Sequence, residues 1–185
     1  MSTEFAKLIL AAIVLAVSGC ASQPSHRPAD APPLTTVRAV DLTRYLGRWY
    51  EIARYDNSFE KNCEGVTADY SRREDGLIKV VNTCREGAVD GKAREAVGRA
   101  KIVDPVSNAK LKVSFFGPFW GDYWIIDLAD DYSLAIVSEP KGRYLWVLSR
   151  TPTISADEKA RVLSFLSNIK FETNALYFTR QPPAQ

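Results

Sequence analysis

The chain has 185 residues, a formal net charge of +2 and 46% hydrophobic residues, which is enough for one domain with its own core. The near-neutral charge gives no basis for nucleic-acid binding. The single histidine, His26, lies in a proline-rich stretch, which argues against His-dependent triads and zinc sites in the domain. Walker, GxGxxG and EF-hand motifs are absent, so no cofactor and no metal site is predicted.

The N-terminus has the pattern of a bacterial lipoprotein signal. An apolar run over 8–17 is about ten residues long, roughly half of what a membrane-spanning helix needs. It ends in Val17-Ser18-Gly19-Cys20, the small residues and cysteine of a lipobox. We predict a signal peptide over 1–19 and lipidation of Cys20; the alternative is an ordinary signal peptide with an incidental cysteine. Ala21, where aspartate would favour the inner membrane, favours the outer membrane, with the domain facing the periplasm.

Residues 20–37 are predicted to be a lipidated N-terminus followed by a linker. Pro24, Pro28, Pro32 and Pro33 stand there among small and polar residues, a composition that favours extended backbone. Such a segment would hold the domain away from the bilayer. The single domain is predicted over 38–185.

Cys63 and Cys84 remain in a chain that the signal directs to an oxidising compartment. They flank two predicted strands joined at Glu74-Asp75-Gly76, a hairpin turn signal. Pairing along that hairpin places Cys84 opposite about residue 65, so a loop or bulge must absorb the offset. We predict a Cys63–Cys84 disulfide; two buried free thiols are the alternative.

Strand-like segments recur every 8 to 12 residues or so, which is typical of an all-β sandwich or barrel. Eight strands are predicted, at 47–56, 66–73, 77–83, 95–103, 109–116, 122–128, 132–138 and 143–149. Because the connections are short, we expect an eight-stranded antiparallel up-and-down β-barrel.

A capping box, Ser155-Ala156-Asp157-Glu158, opens a predicted helix of about 14 residues. Its apolar stripe consists of Val162, Leu163, Leu166 and Ile169, which should pack on the outside of the barrel. A short strand at 175–178 is expected to rejoin the sheet.

Three motifs follow one another at the ends of these strands. They are Gly47-x-Trp49 in the first strand, Asp131-Tyr132 after the sixth, and Arg150 at the end of the eighth. In this order the chain resembles a lipocalin, most closely the bacterial lipoprotein lipocalins, from Val40 to Gln181. Asp130 stands where the family usually has threonine. The resemblance implies a calyx that binds a small lipophilic molecule.

The first and eighth strands become neighbours when the meander closes, which brings Trp49 and Arg150 to one end. There a guanidinium can lie on the indole and donate to nearby carbonyls. We expect Gly47, Trp49, Tyr132 and Arg150 to hold the closed end of the barrel without touching a ligand.

Alternation along the strands predicts the inner wall. In the fifth strand Leu111, Val113 and Phe115 alternate with lysines and a serine, so these three face inward. The predicted ligand-binding residues are Tyr55, Tyr70, Val113, Phe115, Tyr123, Ile125, Leu134, Ile136, Tyr144, Trp146 and Leu148. This apolar and aromatic lining suits an acyl chain, and the tyrosine hydroxyls suit a polar head. A fully packed core is the alternative.

The connection Phe116-Gly117-Pro118-Phe119-Trp120-Gly121 is expected at the open end of the barrel. Three large aromatic residues in one loop are unusual in water. They could line the entrance, touch a membrane surface or form a homodimer contact, and packing within the loop is the alternative.

The resemblance implies a non-catalytic protein that carries or stores a fatty acid or lysophospholipid at the outer membrane. Two other classes remain open: a lipid-modifying enzyme on the same scaffold, and an envelope scaffold with a filled barrel. Catalysis is disfavoured because no histidine is expected inside the barrel and both domain cysteines are expected in a disulfide.

Overall fold

A computed structural model describes residues 23–183, so the predicted signal peptide, the predicted lipobox and Cys20 lie outside the described residues. The described part contains helices α1 (Leu42–Tyr45) and α2 (Ala156–Asn168) and a short 3₁₀ turn (Thr173–Ala175). It also contains nine strands: β1 (Gly47–Tyr55), β2 (Cys63–Arg72), β3 (Ile78–Glu86), β4 (Ala93–Ile102), β5 (Lys110–Ser114), β6 (Gly121–Leu128), β7 (Leu134–Ser138), β8 (Leu145–Ser149) and β9 (Leu176–Phe178).

Strands β1 to β8 form a closed barrel. Each pairs antiparallel with the next, and β8 returns to pair with β1. The predicted eight-stranded up-and-down barrel is therefore confirmed. One end, where β1 begins and β8 ends, is covered by α1, while the loops at 56–62, 87–92, 115–120 and 139–144 surround the open end.

The C-terminal strand fills a gap in the barrel wall. Near the closed end β1 pairs with β2, whereas toward the open end its residues Ala53–Tyr55 pair with β9 instead. Beyond β9, the Gly65 amide donates to the Arg180 carbonyl at 2.8 Å, and the Gln181 side chain donates to the Val66 carbonyl at 2.9 Å. The segment from β9 to Gln181 therefore closes the part of the β1–β2 seam that lies toward the open end.

Helix α2 packs on the outer wall, as predicted. Its capping box is complete, with Ser155 and Glu158 satisfying each other's backbone amides. Val162 and Leu166 are buried against outward residues of the barrel, among them Leu145 and Val147 of β8. The remaining apolar neighbours on this face are Phe165 and Ile169. Leu163, which the predicted stripe included, is not part of this core.

The hairpin formed by β2 and β3 contains the predicted disulfide between Cys63 and Cys84, with Cα atoms 5.3 Å apart. The register of the two strands shifts between Glu64 and Thr67, which is the bulge that the pairing offset required. Gly65 adopts a φ of +56° within it, a conformation that favours glycine. The disulfide lies near the open end of the barrel.

The segment before α1 runs along the outside of the barrel. At the open end the Gln23 side chain donates to the Asp56 carbonyl at 2.6 Å, and the His26 amide donates to the Gly142 carbonyl at 3.0 Å. Further along, the Val40 amide bonds to the Ser107 carbonyl at the closed end. Residues 23–37, which the sequence assigns to a linker, thus contact the barrel. Within the described residues, no helix is both long and apolar enough to cross a bilayer.

Candidate ligand-binding site

The closed end of the barrel brings together all four predicted closure residues. Trp49 is fully buried and Arg150 lies over its ring, 3.8 Å from the guanidinium carbon to the ring centroid. Gly47 lies against the guanidinium at a φ of +94°, a backbone conformation that favours glycine. The Tyr132 hydroxyl accepts from the backbone amide of Asp41, whose side chain caps α1, and the Tyr132 carbonyl lies 3.4 Å from Arg150 Nε.

A row of tyrosine hydroxyls lies above this floor. The Tyr45 and Tyr123 hydroxyl oxygens are 2.8 Å apart, and those of Tyr70 and Tyr123 are 3.0 Å apart. Burial raises the pKa of all three, that of Tyr70 to about 12, so each keeps its proton at neutral pH. Three hydroxyl protons serve two internal bonds, which leaves one for a water molecule or ligand atom.

The barrel wall around the tyrosine row is apolar. Its interior core contains Ile78, Val80, Leu111, Val113, Ile125, Val137 and Leu148. Gly98 on β4 makes space for the Phe115 ring, because a Cβ at that position would lie 2.8 Å from the ring. Phe115 therefore covers a stretch of bare backbone on the inner face.

The interior is hollow toward the open end. Tyr70, Val113, Phe115 and Trp146 face inward, yet each is only partly buried. Ala96 of β4 and Ala68 of β2 both lie opposite Asn82 of β3, so Ala96 faces inward as Ala68 does. Ala96 is nevertheless exposed. A packed core would bury all of these side chains. The barrel thus encloses a cavity open to solvent.

An aromatic group forms one side of the mouth. The rings of Tyr144 and Trp146 stack with centroids 6.0 Å apart, and Phe59 from the 56–62 loop lies 5.6 Å from Tyr144. The Trp146 indole N–H donates to a Glu60 carboxylate oxygen at 3.0 Å. Trp146 therefore presents its ring to the cavity while its nitrogen is held by the loop.

A buried, hydrogen-bonded pair of Glu51 and Arg54 lies beside the aromatic group. Arg54 donates to Glu51 at 2.7 Å, Thr179 also donates to Glu51, and both charged residues are almost fully buried. Glu51 lies opposite Leu148 and Arg54 lies opposite Trp146 in the pairing of β1 with β8. Because Leu148 and Trp146 face inward, Glu51 and Arg54 are on the inner side of the wall. Burial, and then the charge of Glu60, raise the pKa of Glu51 to about 8 against the opposing effect of Arg54.

The structure places Leu134, Ile136 and Tyr55 on the outer wall, so the prediction that they face the interior is wrong. In β7 it is Ala135 and Val137 that lie opposite the inward residues of β8, while Leu134 and Ile136 pack beneath α2. The apolar run over 134–137 has no polar alternation that could have shown this.

For Tyr55 the physical reason is a bulge in β1. The register with β8 shifts between Glu51 and Ala53, so the residues after the shift face the side of the sheet opposite to that predicted by alternation. The Tyr55 ring stacks on His26 with centroids 3.8 Å apart, and its hydroxyl donates to the Glu172 carbonyl at 2.9 Å.

The other predicted lining residues are brought together. Those that contribute to the interior core are Tyr70, Val113, Phe115, Tyr123, Ile125, Trp146 and Leu148, with Tyr144 at the mouth. The sequence prediction missed Tyr45, Glu60 and Val137. Tyr45 comes from α1 and Glu60 from a loop, where strand alternation carries no information.

Comparison with known proteins agrees with this geometry. The family model of the lipocalin-like domain matches residues 40–181. The chain is 42% identical over 180 residues to outer membrane lipoprotein Blc of Citrobacter freundii, covering 95% of this chain and 97% of the relative. It is 43% identical over 153 residues to outer membrane lipoprotein Blc of Escherichia coli strain K12, covering 82% and 86%. The chain belongs to the lipocalin family.

Within that family the chain is similar to bacterial lipoproteins, as its motifs predicted. Their shared name supports the predicted outer-membrane, lipid-anchored location. Among solved structures, insecticyanin of the tobacco hornworm Manduca sexta superimposes with a TM-score of 0.67 at 20% identity, covering 84% of this chain and 88% of that one. That likeness concerns the fold alone.

Proposed function

We propose that the protein is a non-catalytic carrier that holds the acyl chain of a fatty acid or lysophospholipid in its barrel at the outer membrane, anchored through Cys20. The observation that carries this proposal is the hollow interior, in which apolar side chains face inward but stay partly exposed. An occupant would remove that surface from water.

An acyl chain matches the wall in chemistry. Each buried methylene contributes about 0.8 kcal/mol, and Val113, Phe115 and Trp146 offer apolar contacts to it between the tyrosine row and the mouth. Asn82, which pairs with Ala68, adds a polar side chain to this stretch of the wall. A charged head would lose its hydration at the floor, where the tyrosine hydroxyls already bond to one another. We therefore orient the chain toward the floor and the head toward the mouth.

The mouth has groups that can meet a polar head. Glu60 accepts from Trp146 there, and Arg143 lies with its guanidinium carbon 5.9 Å from the Tyr144 ring centroid. The guanidinium of Arg143, which also pairs with Glu139 at 3.4 Å, suits a carboxylate or a phosphodiester, whereas the Glu60 carboxylate can only accept hydrogen bonds.

The experiment is a fluorescence titration of the mature protein with oleic acid and with a lysophospholipid. Trp146 contacts the cavity, so binding should shift the emission of the wild-type protein, and Trp146→Phe should lose most of that shift. Trp124→Phe is the matched control, because Trp124 packs in the outer core and its indole lies under Lys110. Its removal should leave the ligand-induced shift in place.

Two results would oppose the proposal. One is an emission spectrum that neither lipid changes, together with no displacement of a bound fluorescent fatty acid. The other is an equal loss of the shift in Trp146→Phe and Trp124→Phe, which would place the response outside the cavity.

A further inference from the structure

The loop at 115–120, here called the mouth loop, carries an exposed aromatic tip. Phe116 is 80% exposed and Phe119 is 77% exposed, and across the mouth Phe59 is 55% exposed. Large apolar side chains grouped at one end of a soluble domain indicate a surface that is covered in use. The inner residue of the same loop, Phe115, lies in the barrel wall, so the tip is continuous with the cavity.

Positive charge borders the aromatic tip. Lys101 Nζ lies 4.5 Å from the Trp120 ring centroid, and the Arg99 guanidinium carbon lies 5.4 Å from it. The nearest acidic group of β6, Asp122, is paired with Lys112 at 2.8 Å. Aromatic rings at a tip with cations just behind it match the layering of a lipid surface, with apolar chains beneath anionic headgroups.

The N-terminal segment emerges at this same end. Gln23 bonds to the 56–62 loop, and Ser25 Oγ donates to the Lys141 carbonyl at 2.8 Å in the 139–144 loop. Cys20 precedes Gln23 by three residues, which span at most about 11 Å. The nine residues of β1 are about 30 Å long, which the tilt of barrel strands reduces to roughly 20–25 Å between the two ends of the barrel. A lipid on Cys20 therefore holds the open end, and not the closed end, next to the bilayer.

We propose that the mouth loop docks onto the lipid surface that carries the anchor, with Phe116 and Phe119 in the interfacial layer. The barrel then opens directly onto the bilayer, and an acyl chain passes between membrane and cavity without crossing bulk water. This inference rests on the lipidation of Cys20 in the proposed function and is independent of which lipid the cavity holds.

The test uses mature protein in vesicles of phosphatidylethanolamine and phosphatidylglycerol that contain brominated acyl chains. A fluorophore is attached at Phe119→Cys or, as the matched control, at Glu74→Cys in the exposed β2–β3 turn at the closed end. We expect bromine to quench the label at 119 several-fold more than the label at 74. Adding Phe116→Ser should weaken the quenching at 119 while the protein still floats with the vesicles.

Equal quenching at both positions, or stronger quenching at 74, overturns the proposal. So does protein that fails to float with the vesicles, because the anchor is then missing. Shielding of the 119 label together with cross-linking between two copies through that position assigns the loop to a dimer and also overturns it. Lipid binding is followed separately by Trp146 emission, so a cavity that binds nothing leaves the quenching result intact.

Discussion

At the scale of single residues, the Arg150 side chain donates hydrogen bonds to several backbone carbonyls at the closed end. Its guanidinium donates to the carbonyls of Arg44 and Arg48 at 2.6 and 2.7 Å and covers the ring of Trp49. Removing it leaves several carbonyls of the α1 region without a donor. We expect Arg150→Ala to lower the free energy of unfolding by about 1–3 kcal/mol.

Urea denaturation measures this change, and the lipid titration should give an affinity close to that of the wild type. Arg48→Ala is the control at the same end, because its ion pair with Asp69 is exposed and should contribute less than about 1 kcal/mol. Equal destabilisation by both substitutions would contradict the role given to Arg150.

Glu51 makes stability depend on pH. Burial raises its pKa from 4.5 to about 8, so between these values the folded chain holds a proton that the unfolded chain has released. The folded state binds more protons, and the contribution of Glu51 to stability therefore falls as the pH rises from about 4.5 to about 8. Glu51→Gln keeps an acceptor for Arg54 and Thr179 but cannot titrate.

Urea denaturation between pH 5 and pH 8 provides the measurement. We expect the free energy of unfolding to fall with pH in the wild type and to fall less steeply in Glu51→Gln. Parallel pH profiles for the two proteins would show that Glu51 is ionised throughout this range in the folded chain.

At the scale of elements, the disulfide joins β2 to β3 across a bulge, close to the mouth. The two cysteines are 21 residues apart in the sequence. By restricting the unfolded chain, such a bond contributes about 2–4 kcal/mol to the free energy of unfolding. The double variant Cys63→Ala/Cys84→Ala should lose stability in that range while the barrel persists, because the ladder from Thr67 to Arg72 does not depend on the bond. Thermal unfolding with and without reductant checks this, since reductant should affect only the wild type.

The elements also show where sequence reasoning succeeds. Turn residues separate the strands, and the capping box at Ser155 marks the start of α2, so both follow from local patterns. The lining of β5 follows from its lysines, which must face water. In contrast, β7 is apolar on both faces because α2 covers it, and alternation cannot choose between the faces.

Irregular strand pairing also limits what can be predicted from the sequence. The bulge between Glu51 and Ala53 has no glycine or proline that would indicate it, so alternation predicts the wrong face for Tyr55. The seam filled by β9 arises from pairing between β1 and β9, which are far apart in the sequence. Such long-range features depend on tertiary packing and leave no periodic trace in the sequence.

At the scale of the whole molecule, Gln23, which follows the proposed anchor by three residues, lies at the same end as the cavity mouth. Cys20→Ser removes the proposed lipidation site, and the apolar run before it is too short to span a bilayer. We expect this variant to leave the outer-membrane fraction and to remain folded, as shown by fractionation and by an intact Cys63–Cys84 disulfide. A processed variant that stays with the outer membrane would mean that another anchor exists.

The central claim is that the barrel holds an acyl lipid. Native mass spectrometry of the mature wild-type protein, extracted gently from membranes, measures bound lipid and subunit number together. The account predicts one fatty acid or lysophospholipid for each chain, released on denaturation and regained when lysophospholipid is added back. A bare protein mass in every preparation, with no lipid regained on addition, would contradict it.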